Sequence, residues 1–322
     1  MLALSGFVIS SGQTQAGIPV RPFYHAPPRL GRIARENQRD VQTPTPDAKK
    51  TGDQVRPPAQ EDAAGENPAG ENPCQAAQKE VDHAEVLRPY RKNPDLVLVD
   101  TQVIALSPPR LSVAGMGDAL ATWFEAVTCV RAGVKNMRGG LSTQSALALA
   151  RLCYRTLLAD GADALQAVRT QVVTPALERI VEANTLLSGI GFESSGLAAA
   201  HAIHNGLTTA QATHAYLHGE KVAFGLLAQL VLEGQPRSVL NRVLGFASEV
   251  GLPITPADIG LTDLSKEQLH TIAVRATAEG ETIHNEPFDV RPDTVADAVM
   301  AADAVGRAWK KGCSRAQEVK IL

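Results

Sequence analysis

Up to about residue 84 the chain shows no sustained apolar period, but from Pro109 onward apolar residues recur at helical spacing. Leu120, Trp123, Phe124 and Val127 share one face of a helix predicted over 116–131. Leu147, Ala150, Tyr154 and Leu158 do the same over 142–158. The same period predicts helices over 164–184, 194–205, 221–233, 238–250 and 293–308. Ser265 with Gln268 three residues later reads as a capping box opening a further helix that runs to about 279. Val250-Gly251 and Glu279-Gly280 read as helix stops. About eight helices follow, so the expected fold is mainly α, an all-helical domain over 110–312 with a tail at 313–322.

Two regions ahead of this domain read differently. Leu96, Val97, Leu98 and Val99 form a short unbroken apolar run between Asp95 and Asp100, the pattern of a strand buried on both faces of a sheet. Nothing before it offers a neighbouring strand, so it is expected to be an orphan β-strand in a linker over 85–109. Residues 39–80 are dominated by Pro, Asp, Glu, Gln, Lys, Gly and Ala, and Gly65-Glu66-Asn67-Pro68 is repeated as Gly70-Glu71-Asn72-Pro73. Such a stretch buries too little apolar area to offset the entropy of ordering it. Residues 1–84 are therefore expected to be disordered.

Composition narrows the class. Hydrophobic residues make up 44 % and aromatics only 4 %, so the core must be built from Ala, Leu and Val in closely packed helices. A net charge of −3 gives no electrostatic reason for a nucleic-acid partner. No apolar run reaches the length of a membrane span. Cys74, Cys129, Cys153 and Cys313 are widely spaced and are expected as thiols in a reducing compartment. Cytoplasm is the expected setting. Residues 1–34 contain Arg21, Arg29 and Arg32 and no acidic residue, which also fits an organelle transit peptide.

Four of the eight histidines cluster: His201, His204, His214 and His218. His201 and His204 lie three apart and share a helical face, and His218 stands at an expected loop-to-helix junction. Imidazole and carboxylate donors suit zinc. Spacing alone leaves a metal site open against histidines that cap helices or line a core, and it does not choose the carboxylate; Asp118 is one of several candidates.

Several segments in order carry a family resemblance. Residues 189–208, with Ala198-Ala-Ala-His-Ala-Ile-His-Asn205 at their centre, and His218-Gly-Glu-Lys-Val222 resemble the metal-site core of glycerol dehydrogenases. These belong to the iron-containing (group III) alcohol dehydrogenases, which share the dehydroquinate synthase-like fold. Residues 93–101, 114–126, 173–179 and 279–285 match the same pattern, so the resemblance covers about 225 residues. It implies one zinc ion held by Asp118, His201 and His218. Thr122 stands where iron-dependent relatives carry a further histidine. His204 would lie near the substrate, orienting a hydroxyl or relaying a proton, or be a hydrogen-bonded core histidine. Glu193 and Glu220 are candidate acceptors for the metal histidines, His214 is expected in a solvated loop, and His284 at a helix end. Ser195 and Leu217 depart from the usual glycine and aromatic residue.

The implied activity is oxidation of glycerol or another polyol to dihydroxyacetone or its analogue, with NAD accepting the hydride from a zinc-activated hydroxyl. The family's nucleotide-binding half carries a Gly-Gly-Gly phosphate loop, and no such pattern occurs in residues 1–90. Gly139-Gly140 reads as a turn. Two readings follow: a zinc-dependent polyol dehydrogenase by descent with weakened NAD binding, or a non-catalytic homologue that binds metal or assembles with full-length relatives. Homo-oligomers are expected from the resemblance.

Overall fold

The computed structural model describes residues 96–321, with side chains to residue 312. The segment 1–84, with Cys74, lies outside the described residues, as do residues 85–95 of the expected linker. Residues 96–100 join no strand among the described residues. The strand expected over 96–99 is thus not formed there: a strand needs a neighbour to take its N–H and C=O groups. Leu96 and Leu98 are instead exposed.

Ten α-helices follow among the described residues. Asp100 accepts a hydrogen bond from the Gln102 N–H (2.9 Å) and opens α1, Thr101–Ala105. Pro109 sits at the first position of α2, Pro109–Ala132, where its missing N–H costs nothing. α3 spans Gln144–Arg169, capped by Thr143. The helices expected over 142–158 and 164–184 are divided elsewhere: α3 continues through Gly161, and the break falls at 170–174. A glycine inside a helix costs about 1 kcal/mol. That is offset by burying Leu157, Ala164, Leu165 and Val168 along one face. Thr174 caps α4, Pro175–Glu182, with Pro175 at the start.

A π-turn at Ala183–Leu187 leads into α5, Ser188–Ser195. The helix expected over 194–205 is interrupted at Gly196, whose φ of +116° is outside helical range. α6, Ala199–Leu207, restarts beyond it. α7, His218–Leu232, begins at the expected junction and is buried on nearly every side, as an all-round apolar helix must be. α8 is Arg237–Val250, ended by Gly251 at φ +84°. The capping box of Ser265 and Gln268 opens α9, Lys266–Ala276. α10 runs Pro292–Ile321, well past residue 308.

α2 and α7 form the centre. α3, α5 and α7 pack on α2, while α6 is held between α7 and α9, and α10 lies against α7 and α9. Leu120, Ile203, Leu207, Phe224, Leu226 and Leu227 fill the space between them, each almost fully buried. Cys129 and Cys153 are buried free thiols. No helix among the described residues is long and apolar enough to cross a membrane.

Candidate metal centre

The crossing of α2 and α7 is close because glycines meet there. A Cβ on Gly219 would lie 1.9 Å from the Ala114 carbonyl oxygen, and one on Gly117 would lie 2.5 Å from the Gly219 carbonyl oxygen. Asp118 follows Gly117, and His218 precedes Gly219. The crossing that only glycine permits therefore brings a carboxylate and an imidazole to one point. α6, packed against α7, supplies His201 from its first turn.

Asp118 Oδ1 lies 3.2 Å from His201 Nε2 and 3.4 Å from His218 Nε2. One donor atom from each residue falls within 4.8 Å of the others, and among the described residues this is the group of His, Cys, Asp and Glu that meets that test. Donors each about 2.1 Å from a tetrahedral ion stand about 3.4 Å apart. The observed spacings fit a single divalent cation.

The electrostatics fit as well. Burial alone would push the Asp118 carboxyl up; the charges and hydrogen bonds of His218 and His201 outweigh it and hold the group well below the usual carboxylate range. Burial alone would lower His201, yet Glu125 on one side and Asp118 on the other raise it to about 10. In a metal-free chain the ring is thus an imidazolium between two carboxylates. A cation would take over the positive charge that the proton supplies.

His204 lies beside this group but outside it. Its ring centroid is 4.2 Å from that of His218, and its Nδ1 is 3.1 Å from Asn205 Oδ1. Burial first, then the neighbouring His218, Lys221 and His201, keep its pKa well below the ordinary value, so the ring is neutral. Thr122 is buried and bonds the Ser188 hydroxyl at 2.9 Å. His214 is exposed and reaches the Thr208 carbonyl, and His284 reaches the Ala278 carbonyl just beyond α9. Ser195 bonds Ser142 through their hydroxyls.

The acceptor on His201 is neither of the two glutamates considered from sequence. Glu193 pairs with Arg138. Glu220 takes a forked pair of bonds from Arg110 (both 2.6 Å) and accepts the Leu217 N–H, steadying the start of α7. Glu125, fully buried, stands 2.7 Å from His201 Nδ1. A signal for it was present: it lies seven residues, two turns, after Asp118 on the same face of α2.

Comparison with known proteins identifies relatives of the helical part of the chain. No protein-family profile matches the chain. A glycerol dehydrogenase from Citrobacter freundii is 58 % identical over 220 residues, 68 % of this chain and 60 % of that protein. The crystal structure of a probable glycerol dehydrogenase from Sinorhizobium meliloti superposes with a TM-score of 0.67 at 43 % identity, over 68 % of this chain and 61 % of the other. A 1,3-propanediol oxidoreductase structure, at 17 % identity and a TM-score of 0.50, over 63 % of this chain and 54 % of the other, shares the fold. The chain spans about 60 % of the length of the curated relatives it matches. The helical part of this chain is thus homologous to the corresponding part of the glycerol dehydrogenases and shares its fold with the 1,3-propanediol oxidoreductase.

Proposed function

We propose that this chain carries the metal-holding, substrate-activating domain of a glycerol or polyol dehydrogenase, with Asp118, His201 and His218 binding one zinc ion and NAD as the hydride acceptor. The convergence of those three donors within 4.8 Å supports the reading most directly. Two imidazoles and one carboxylate are a zinc-type donor set that leaves a position for substrate. When bound, the ion supplies Lewis acidity that lowers the pKa of a substrate hydroxyl. The overall reaction is glycerol and NAD⁺ giving dihydroxyacetone, NADH and a proton.

The chain's own residues divide the remaining tasks. Asp118 and His218 mark the polyol position from the α2–α7 crossing. His204, neutral and adjacent to His218, is suited to orient a substrate hydroxyl or to pass on its proton. Thr122 is engaged with Ser188, which favours a three-ligand site over the four-ligand site of iron-dependent relatives.

NAD is a separate matter, because residues 1–90 carry no glycine-rich phosphate loop. We infer that the chain alone holds zinc but turns over glycerol poorly. The competing reading, a non-catalytic homologue, predicts zinc without any turnover. A cytoplasmic setting agrees with the unbridged thiols Cys129 and Cys153, and homo-oligomers are proposed on family likeness.

Metal content and NAD⁺-dependent glycerol oxidation, measured on one purified sample, test the proposal. About one zinc per chain is expected, and Asp118→Asn or His218→Ala should lose it. Wild-type protein without zinc, or variants that retain it fully, would refute the metal assignment. Slow turnover abolished by His218→Ala would favour the enzyme over the non-catalytic homologue.

A further inference from the structure

The start of α6 is capped from elsewhere in the chain. The first N–H groups of a helix have no partner within it, and Ala198 at the N-cap has no side chain to offer. The Ala198 N–H donates to Glu125 Oε1 at 2.9 Å and the His201 N–H donates to the same oxygen at 3.1 Å. Between them, the Ala199 N–H donates to Glu286 Oε1 at 3.3 Å and the Ala200 N–H to Gln229 Oε1 at 2.8 Å. Three side chains from α2, α7 and the turn before α10 thus set where the helix that carries His201 begins.

Glu125 does a second thing at once. Its other oxygen, Oε2, faces His201 Nδ1 at 2.7 Å, while His201 Nε2 faces Asp118. A carboxylate can only accept a hydrogen bond. A neutral imidazole beside it therefore carries its proton on Nδ1 and keeps the lone pair on Nε2, the atom turned toward Asp118.

We propose that Glu125 is the positioning residue of the metal centre: one oxygen sets the start of α6, and the other selects the His201 tautomer that can bind a cation. This rests on the metal-centre reading above. Capping and tautomer selection are carried by different oxygens, so they can be separated. In Glu125→Gln the amide oxygen can keep the Ala198 and His201 N–H groups while its NH₂ faces Nδ1. A donor in that place favours the tautomer with the proton on Nε2, where the cation must sit. Glu125→Asp keeps an acceptor but shortens its reach.

The full chain is titrated with zinc against a chromogenic chelator, and the zinc-loaded protein is examined by ¹⁵N NMR of its histidine rings. Glu125→Gln should bind zinc on the order of 10- to 100-fold more weakly and melt at a lower temperature when metal-free, because a buried imidazolium loses one of its two carboxylates, with Glu125→Asp recovering part of both losses. In wild type, His201 should show a protonated Nδ1 and a metal-bound Nε2. Wild-type affinity in Glu125→Gln, or a His201 bound through Nδ1, overturns the proposal, and the NMR result decides it even if the variant does not fold. A wild-type chain that binds no zinc overturns the metal centre and this role together, whereas an unchanged variant beside a zinc-binding wild type overturns this role alone.

Discussion

Replacing Glu286 by Gln should remove a pH-dependent weakness from the fold. Glu286 is 6 % exposed; one oxygen accepts from the Ala199 N–H, and the other has no hydrogen-bond partner. Burial first, then the nearby charge of Glu233 and that of Glu125, push its carboxyl from 4.5 up to about 8, against the opposing Ala199 hydrogen bond. A glutamate whose pKa rises on folding adds stability below its unfolded value. That stability is lost as pH climbs, because the unfolded chain ionises from about 4.5 while the folded chain holds its proton until about 8. At about 1.4 kcal/mol per pH unit the full span is ~5 kcal/mol. Relaxation and water entry lower it, so about 2–4 kcal/mol is expected. Glu286→Gln keeps the acceptor for Ala199 and titrates in neither state. Urea unfolding of both proteins in chelator, from pH 5 to pH 9, reads the difference with other titrating groups cancelled. The two should be similar near pH 5, and the variant should gain steadily until about pH 8 and then level off. A difference independent of pH would show that the buried carboxyl is already ionised in the fold and would refute the reasoning.

Two further outcomes test the packing that builds the centre. Gly219→Ala places a Cβ 1.9 Å from the Ala114 carbonyl oxygen, so α7 must move off α2; about 1–3 kcal/mol of stability should be lost, and zinc affinity should fall with it, read by thermal melting and chelator competition. Phe224→Ala empties a fully buried position of α7 and should cost about 3–5 kcal/mol in urea unfolding, with a smaller effect on zinc affinity.

The helices were legible where a local signal was strong. Ser265 with Gln268 and Gly251 each mark a boundary by the hydrogen bonds or backbone angle that the residue type allows, and each stands at one in the structure, whereas the helix expected over 164–184 runs through Thr174-Pro175, where the structure starts a new one. The gap expected between 158 and 164 does not form, because Gly161 is carried inside one helix by the burial on either side. The strand expected over 96–99 fails for the opposite reason. Its apolar residues have strand character, but a strand exists only with a partner.

For the centre, residue chemistry and family likeness singled out Asp118, His201 and His218, and the geometry brings these three together. Glu125 is not among the candidates Glu193 and Glu220, which stand near the histidines along the chain. It lies 76 residues from His201 in sequence and 2.7 Å away in space. What the amino-acid order settled alone was the helical period, the caps and the inventory of donors, since each depends on neighbours within a turn or two. Which donors share a point, which carboxylate faces an imidazole and which helix start is capped from afar were settled by the crossing of α2, α6 and α7. Those crossings follow from how closely Gly117 and Gly219 let α2 and α7 approach and Gly225 lets α7 approach α6, a property of the packed chain that no local stretch carries.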